Sequence, residues 1–185
     1  VPGLSIVPAD ADMSGVEIEL SQADRRSYRL RDALRAHDLG AAPYDYVLID
    51  CPPSLNLLTL NAMAAADAVL VPLQCEFFAL EGLSQLLGTI ERVRAAFNPG
   101  LRIVGVALTM YDRRNKLTED VAADVRAALG EVVFKTVIPR NVRLSEAPSH
   151  GLPALVYDHR CAGSEAYIAL ARELLARVGP ARAAA

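Results

Sequence analysis

The chain has 185 residues, of which 52% are hydrophobic, and it carries a formal net charge of −3 at pH 7. This length and hydrophobic content suit one globular domain with a sizeable core, so we treat residues 1–185 as a single domain. The charge excludes a polycation, and three cysteines without a C-x-x-C pair argue against a disulfide framework or a zinc site and fit a reducing cytoplasm.

Short apolar runs predict β-strands along the chain. They are Leu4–Val7, Tyr46–Ile49, Ala68–Val71, Ile103–Leu108 and Val132–Ile138. Segments with helical spacing of apolar residues separate several of these runs. Because strands that alternate with helices form βαβ units, the sequence predicts an α/β fold with a mostly parallel, doubly wound sheet and helices on both faces.

Two helices are predicted in the middle of the chain. The first carries an apolar face over Leu83–Phe97, and Asn98-Pro99-Gly100 ends it. Thr118 is the predicted N-cap of the second helix, and Gly130 is the predicted residue after its C-terminus. We expect both helices to cover the sheet with their apolar faces.

The last predicted helix begins near Ser164 and ends at Gly179-Pro180. Its spacing predicts these buried residues: Tyr167, Ile168, Ala171, Leu174, Leu175 and Val178. Residues 181–185 are Ala-rich and are predicted to be a frayed tail.

The segment Tyr44–Ser54 has the sequence YDYVLIDCPPS, an apolar strand pattern that ends on a carboxylate and a double proline. Asp50 is predicted at the carboxyl end of the strand, where open α/β sheets bind their ligands. An unpaired carboxylate there would be costly to desolvate, so we expect a cation or a hydrogen-bond donor beside it. A strand-terminal Asp that only caps the next turn is the alternative.

Three blocks of sequence occur together and in order. They are Tyr44–Ala62 (YDYVLIDCPPSLNLLTLNA), Val69–Gly82 (VLVPLQCEFFALEG) and Thr136–Gly151 (TVIPRNVRLSEAPSHG). These blocks resemble the ParA/Soj-type chromosome- and plasmid-partitioning ATPases, which are P-loop NTPases of the deviant Walker A class that also contains MinD. The resemblance runs from about Leu4 to Val178, nearly the whole chain.

The resemblance implies a nucleotide site. In that family Asp50 matches the Walker B aspartate, which helps to hold the Mg²⁺ of bound ATP, usually through water. Pro52 and Pro53 match the start of the segment that senses the γ-phosphate and shapes the dimer interface. The loops that enclose the adenine base match these residues: Met110, Tyr111, Pro139, Arg140 and Asn141. Ordinary loop packing is the alternative for the first two of these.

The resemblance also implies DNA binding. Arg114 and Arg143 match arginines that contact DNA without sequence preference in the ATP-bound dimer, and each lies in a locally basic segment. Scattered surface charge on solvated loops is the alternative, and Arg140 could serve the adenine, DNA or both. The segment Glu76–Gly82 resembles one near the dimer contact, although core and helix-entry packing is the favoured interpretation of Phe77-Phe78.

No G-x-x-x-x-G-K-[ST] sequence occurs in the chain, which has only two lysines, Lys116 and Lys135. A phosphate cradle needs glycines whose backbone N–H groups converge on the anion, and a lysine. We therefore expect this chain to be the C-terminal two-thirds or so of a ParA-type domain, lacking the phosphate-loop strand and helix. By itself it is expected not to hydrolyse ATP, whereas the complete protein is expected to do so.

The function implied is DNA segregation. ATP binding drives a homodimer that coats DNA of the bacterial nucleoid in the cytoplasm, and a ParB-type centromere-binding partner stimulates hydrolysis. No apolar run approaches membrane-spanning length, so no membrane contact is predicted. The alternatives are a MinD-like positioning ATPase, an iron–sulfur carrier of the same fold, and a non-catalytic module that binds DNA or a protein partner.

Overall fold

The computed structural model describes residues 3–9, 13, 15–36, 44–52 and 54–179. The chain divides into two compact units, one up to Ala66 and one from Asp67 onward. The prediction of one domain over residues 1–185 stays a prediction, and the tail at 181–185 lies outside the described residues. None of the described helices combines the length and apolar character that crossing a membrane would need.

The first unit is helical where it is regular. Its helices are α1 (Val16–Glu19), α2 (Arg29–Ala36) and α3 (Leu57–Ala65). The buried Asn61 of α3 ties this unit together: its Oδ1 accepts from the Leu30 N–H at 3.1 Å, and its Nδ2 donates to the Arg26 carbonyl at 2.9 Å. Asn56 caps α3 by accepting from the Thr59 N–H at 3.0 Å.

Two of the predicted strands are wrong. The structure gives Leu4–Val7 and Tyr46–Ile49 an irregular backbone, and their apolar side chains are exposed, with Leu48 at 85%. A β-strand exists only when a neighbouring strand pairs with its N–H and C=O groups, and neither segment has such a neighbour among the described residues. An apolar run indicates that a segment tends to be buried. It does not show whether a neighbouring strand is present to pair with that segment.

The second unit contains a parallel sheet. Its described strands are β1 (Ala68–Gln74), β2 (Arg102–Tyr111) and β3 (Val133–Pro139), and they lie side by side in the order β1-β2-β3. All three were predicted from their apolar runs, so these predictions are confirmed. The parallel direction places the carboxyl ends of all three strands at one edge.

Helices cover both faces of this sheet. The described helices of this unit are α4 (Ala79–Ala96), α5 (Lys116–Leu129), α6 (Val142–Glu146), α7 (Ala154–Tyr157) and α8 (Ala162–Val178), of which α4, α5 and α8 pack against the strands. On one face Val106 and Leu108 of β2 pack against Leu83 of α4 and Val125 of α5. On the other face Ala107, Phe134 and Ile138 pack against Leu170 of α8. Side chains alternate across the sheet in this way, and the predicted α/β fold with two covered faces is confirmed.

Helix α5 begins earlier than predicted. Asn115, not Thr118, is its N-cap, and the Asn115 side chain accepts from the Leu117 N–H at 3.0 Å. Thr118 is instead buried inside the first turn. The predicted end is confirmed, because Gly130 follows the helix with a φ of +54° that favours glycine.

Helix α8 buries a different face from the predicted one. Gly163, Ser164 and Leu170 are buried, whereas Tyr167 is 45% exposed and Leu175 is 48% exposed. The small residues allow close approach, since a Cβ on Gly163 would lie 2.5 Å from the Leu144 Cγ. Apolar periodicity follows bulky residues and therefore pointed to these side chains, which the structure exposes: Tyr167, Ile168, Ala171 and Leu175. Leu174 and Val178 are partly buried.

Strand β3 bulges where α8 crosses it. Val106 pairs with Val133 but Leu108 pairs with Val137, so the register shifts between these pairs. At the bulge the Glu173 carboxylate of α8 accepts from two backbone groups, the Lys135 N–H at 2.8 Å and the Thr136 N–H at 3.0 Å. A side chain therefore satisfies the backbone groups that leave the strand pairing.

Candidate functional site

The loops that follow β2 and β3 meet at the carboxyl edge of the sheet. Gln74 is paired with Thr109 and Tyr111 with Pro139, and the Arg140 N–H donates to the Tyr111 carbonyl at 3.0 Å. Predicted site residues of two separate loops are thus brought together by strand register. Open α/β sheets bind ligands at this edge, so it is the candidate site.

A cavity of about 530 Å³ opens at this edge. Its walls combine apolar groups with arginines and are formed by Tyr111, Asp112, Arg113, Arg114, Val137, Pro139, Arg140, Ala162 and Ala166. The volume falls in the range of small-molecule sites, and the mixture of a ring, apolar walls and cations suits an anionic ligand with a flat group. Of the five predicted adenine contacts, Tyr111, Pro139 and Arg140 line this cavity.

A second, smaller cavity of about 90 Å³ lies next to the residues that follow β1 and β2. Met110 and Arg140 line it together with Cys75, Glu76 and Thr118, none of which was predicted to contact the nucleotide. Burial raises the pKa of the Cys75 thiol, so this group stays protonated and neutral at pH 7. Cys75 and Glu76 follow β1 directly, a position that could have marked them as edge residues.

The backbone at Met110 has a φ of +53°, in the left-handed region that non-glycine residues rarely adopt. Such a conformation costs about 1–3 kcal/mol and persists where the surroundings impose it, often at binding sites. The adenine-binding role of Met110 stays a prediction.

Asn141 begins α6 and caps it. Its Oδ1 accepts from the Arg143 N–H at 2.9 Å, which fixes the side chain at the carboxyl edge. Among the described residues its Nδ2 has no hydrogen-bond acceptor, so this donor is available to a ligand. Asn115 caps α5 in the same way, and both edge loops therefore end on an asparagine that starts a helix.

Both predicted DNA-contacting arginines are exposed. The side chain of Arg114 is 88% exposed, and its guanidinium makes an ion pair with Asp112 at 2.9 Å. The side chain of Arg143 is 54% exposed, and its Nη1 lies 2.9 Å from the Glu146 carboxylate. The hydrogen bonds from the Arg114 side chain and backbone lower the pKa of Asp112 to about 2, with a further contribution from Arg140.

Asp50 lies in the first unit, and the premise that it ends a strand is wrong. It follows an irregular segment and is exposed, and within the described part of the chain no hydrogen bond or ion pair reaches its carboxylate. An exposed carboxylate is a chemically suitable ligand for hydrated Mg²⁺, which takes few protein oxygens and keeps its waters. The magnesium role of Asp50 stays a prediction, as does the role of the exposed Pro52, and Pro53 lies outside the described residues.

Metal-binding side chains do not cluster in threes among the described residues.

The sequence favoured core packing for Phe77 and Phe78. In the structure these residues are 74% and 70% exposed. Their rings contact each other edge to face, with centroids 5.0 Å apart. Core packing is therefore wrong for this pair, and it leaves an exposed aromatic surface where α4 begins.

Comparisons with known proteins point to the same family as the three sequence blocks. A family model described as AAA domain matches residues 1–103. The chain is 70% identical over 177 residues to the chromosome partitioning protein ParA of Caulobacter vibrioides, covering 96% of this chain and 66% of that one. It is 51% identical over 180 residues to the chromosome-partitioning ATPase Soj of Treponema pallidum, covering 97% of this chain and 70% of that one.

A solved structure is also similar. It is the cobyrinic acid a,c-diamide synthase from Mycobacterium smegmatis with bound ATP analogue and magnesium, which is 43% identical with a TM-score of 0.64 and covers 73% of this chain and 54% of that one. The chain thus spans about two thirds, 66%, of the length of the Caulobacter relative. The resemblance in the three sequence blocks is confirmed: the chain belongs to the ParA/Soj family of chromosome-partitioning ATPases.

Proposed function

We propose that the protein is an ATP- and Mg²⁺-binding partitioning ATPase that acts on nucleoid DNA in the bacterial cytoplasm. ATP binding promotes a homodimer, the dimer binds DNA without sequence preference, and a ParB-type partner stimulates hydrolysis. The observation that carries this proposal is 70% identity over 96% of the chain to a chromosome partitioning protein. The cavity at the carboxyl edge supports it independently.

The edge loops would hold the base of the nucleotide. Tyr111 and Pro139 line the cavity and offer apolar surface to a flat ring. Asn141 follows the lining residue Arg140 without lining the cavity itself, and its Nδ2 would offer a donor to the nitrogen atoms of the ring. Arg140 is fixed by its backbone bond to Tyr111, so its cationic side chain starts from a defined position. The binding of an ATP analogue by the related synthase supports this assignment.

Asp50 would hold magnesium, whose chemistry is to neutralise phosphate charge. Hydrolysis also requires a phosphate cradle, because phosphoryl transfer depends on positioning and on charge stabilisation. The 185 residues contain no G-x-x-x-x-G-K-[ST] sequence, the sequence that forms such a cradle. Hydrolysis is proposed for the intact protein.

We expect Asp50→Ala to weaken Mg²⁺-dependent nucleotide binding by about tenfold, which is the loss of one charge-assisted contact. The measurement is a titration of the intact protein with a fluorescent ATP analogue in magnesium and again in a chelator. Asp67→Ala removes an exposed carboxylate from the start of the second unit and should leave the affinity unchanged. Equal affinity of Asp50→Ala and the unsubstituted protein in magnesium would contradict the metal role.

We expect Arg143→Ala to weaken nonspecific DNA binding and leave nucleotide binding intact, because it removes an exposed cation that can contact phosphates. The slope of log K against log salt should become shallower by about 0.9 for each arginine removed. Fluorescence anisotropy of a labelled mixed-sequence duplex, with ATP and magnesium, measures both quantities. Arg172→Ala, an exposed arginine on α8, is the matched control. Unchanged DNA affinity of Arg143→Ala at matched salt would remove the DNA role.

A further inference from the structure

Each of the two candidate DNA-contacting arginines is paired with a carboxylate two or three residues away along the chain. Asp112 accepts from the Nε of Arg114 at 3.0 Å and from its Nη2 at 2.9 Å. Glu146 accepts from the Nη1 of Arg143 at 2.9 Å, and the Asp158 carboxylate lies 3.7 Å from the Nε of the same arginine. The same arrangement occurs after both β2 and β3.

The carboxylates are held in place by other bonds as well. The backbone N–H of Arg114 donates to Asp112 at 3.0 Å, so the carboxylate would stay at the loop without the guanidinium. Glu146 also accepts from the Tyr157 hydroxyl at 3.3 Å. Asp158 accepts from the N–H groups of Arg160 and Cys161, each at 3.1 Å. These acids therefore have hydrogen bonds that do not depend on the arginine side chains.

Carboxylates compete with a phosphate for both guanidinium groups. Bidentate recognition of a phosphate uses two N–H groups along one edge of the fork, and Asp112 already takes the Nε–Nη2 edge of Arg114. Arg143 together with Glu146 and Asp158 carries a formal charge of −1, which repels an approaching phosphate. DNA must therefore compete with the protein's own anions.

A DNA phosphate can displace the carboxylates from the two arginines. Exposed ion pairs contribute little, because water and salt screen them, so a phosphate can displace the carboxylate at small cost. The Asp112 carboxyl, with its pKa of about 2, remains charged throughout the physiological range, and the competition persists there. A weakened arginine contact suits a protein that binds DNA loosely and reversibly.

We propose that Asp112 and Glu146 are positioning residues that hold the DNA affinity below the value that Arg114 and Arg143 alone would give. This inference rests on the proposed DNA binding and deepens it, because it names the intramolecular competitors of the DNA backbone. The occupant is the phosphate group of duplex DNA, recognised by charge and not by base sequence.

The test replaces each acid by its amide in the intact protein with ATP and magnesium. We expect Glu146→Gln and Asp112→Asn each to tighten binding of a mixed-sequence duplex by about two- to fivefold, the worth of an exposed ion pair. The slope of log K against log salt should change by less than about 0.9, because each arginine already replaces a counterion in the unsubstituted protein. A merely structural role of the acid would not make the tightening depend on the presence of its arginine.

Two controls separate this effect from general charge. Glu165→Gln makes the same change of charge at an exposed position in the first turn of α8 and should leave the affinity within error. Glu146→Gln placed in the Arg143→Ala background should no longer tighten binding, since its arginine is absent. Equal tightening in both backgrounds, or no tightening by either amide variant, would overturn the inference.

A different experimental result would contradict the proposed DNA-binding role. If Arg143→Ala and Arg114→Ala both leave DNA affinity unchanged, these two arginines do not contact DNA and the proposed DNA-binding role of both is wrong. If both alanine variants weaken binding and the amide variants do not tighten it, only the competition is wrong. A thermal unfolding midpoint for each variant ensures that the compared proteins are folded.

Discussion

Gly105→Ala is expected to destabilise the protein by about 3 kcal/mol, because the added methyl group has no room in strand β2. A Cβ at this position would overlap the Phe134 ring and would lie 2.7 Å from the Nη1 of Arg177. Phe134 is fully buried, so its ring has no free space into which to move. The measurement is the free energy of unfolding from urea titration followed by circular dichroism.

Gly88→Ala is the matched control for this substitution. Gly88 lies on the exposed side of α4, and a Cβ there would meet nothing within 4 Å. Alanine in a helix interior restricts the unfolded chain, so this variant should be more stable by about 0.5–1 kcal/mol. Opposite signs for the two alanines would support the packing argument, and a Gly105→Ala variant as stable as the unsubstituted protein would contradict it.

Arg177→Met is expected to cost about 3 kcal/mol of unfolding free energy, since it removes one side chain with several partners. Arg177 donates to the carbonyls of Val104, Val132 and Val133 at 2.9–3.1 Å and pairs with Glu173 at 3.2 Å. Its guanidinium also lies 3.9 Å from the centre of the Phe134 ring. Methionine fills a similar volume and leaves the carbonyls and the carboxylate without this donor.

Arg172→Met, on the same helix but exposed, should change the unfolding free energy by less than about 0.5 kcal/mol. Arg177→Lys should recover only part of the loss, because an ammonium group cannot reach three carbonyls with a planar fork. The measurement is again urea unfolding. An Arg177→Met variant with the unsubstituted midpoint would show that these bonds contribute nothing to stability.

The sheet of the second unit could be predicted from its residues, and its strand lengths could not. The apolar run at Ala68–Val71 predicted β1, but the strand continues to Gln74 through Pro72. Proline is tolerated in β1 because this strand lies at an edge of the described sheet, where a missing N–H costs little. Local composition does not reveal which strand is at the edge.

Local ion pairs could be predicted from the sequence, and contacts between distant residues could not. The Arg114–Asp112 and Arg143–Glu146 pairs lie two and three residues apart, so their spacing was available in the sequence. The pairing of Arg143 with Asp158 was not, because the turn that brings them together cannot be seen in either segment alone. Likewise, Leu144 packs closely against Gly163 on the buried face of α8. Apolar periodicity does not detect this face, because it counts bulky apolar residues and not glycine.

The asparagines at the ends of the edge loops have a consequence for the thermodynamics of binding. Asn115 and Asn141 each anchor a loop to the first turn of a helix, and the Arg140–Tyr111 bond joins the two loops at their origin. Segments restrained at both ends lose little conformational freedom when a ligand arrives. Association at this edge therefore incurs a small ordering entropy, and its strength reflects direct contacts more than the closing of a flexible lid.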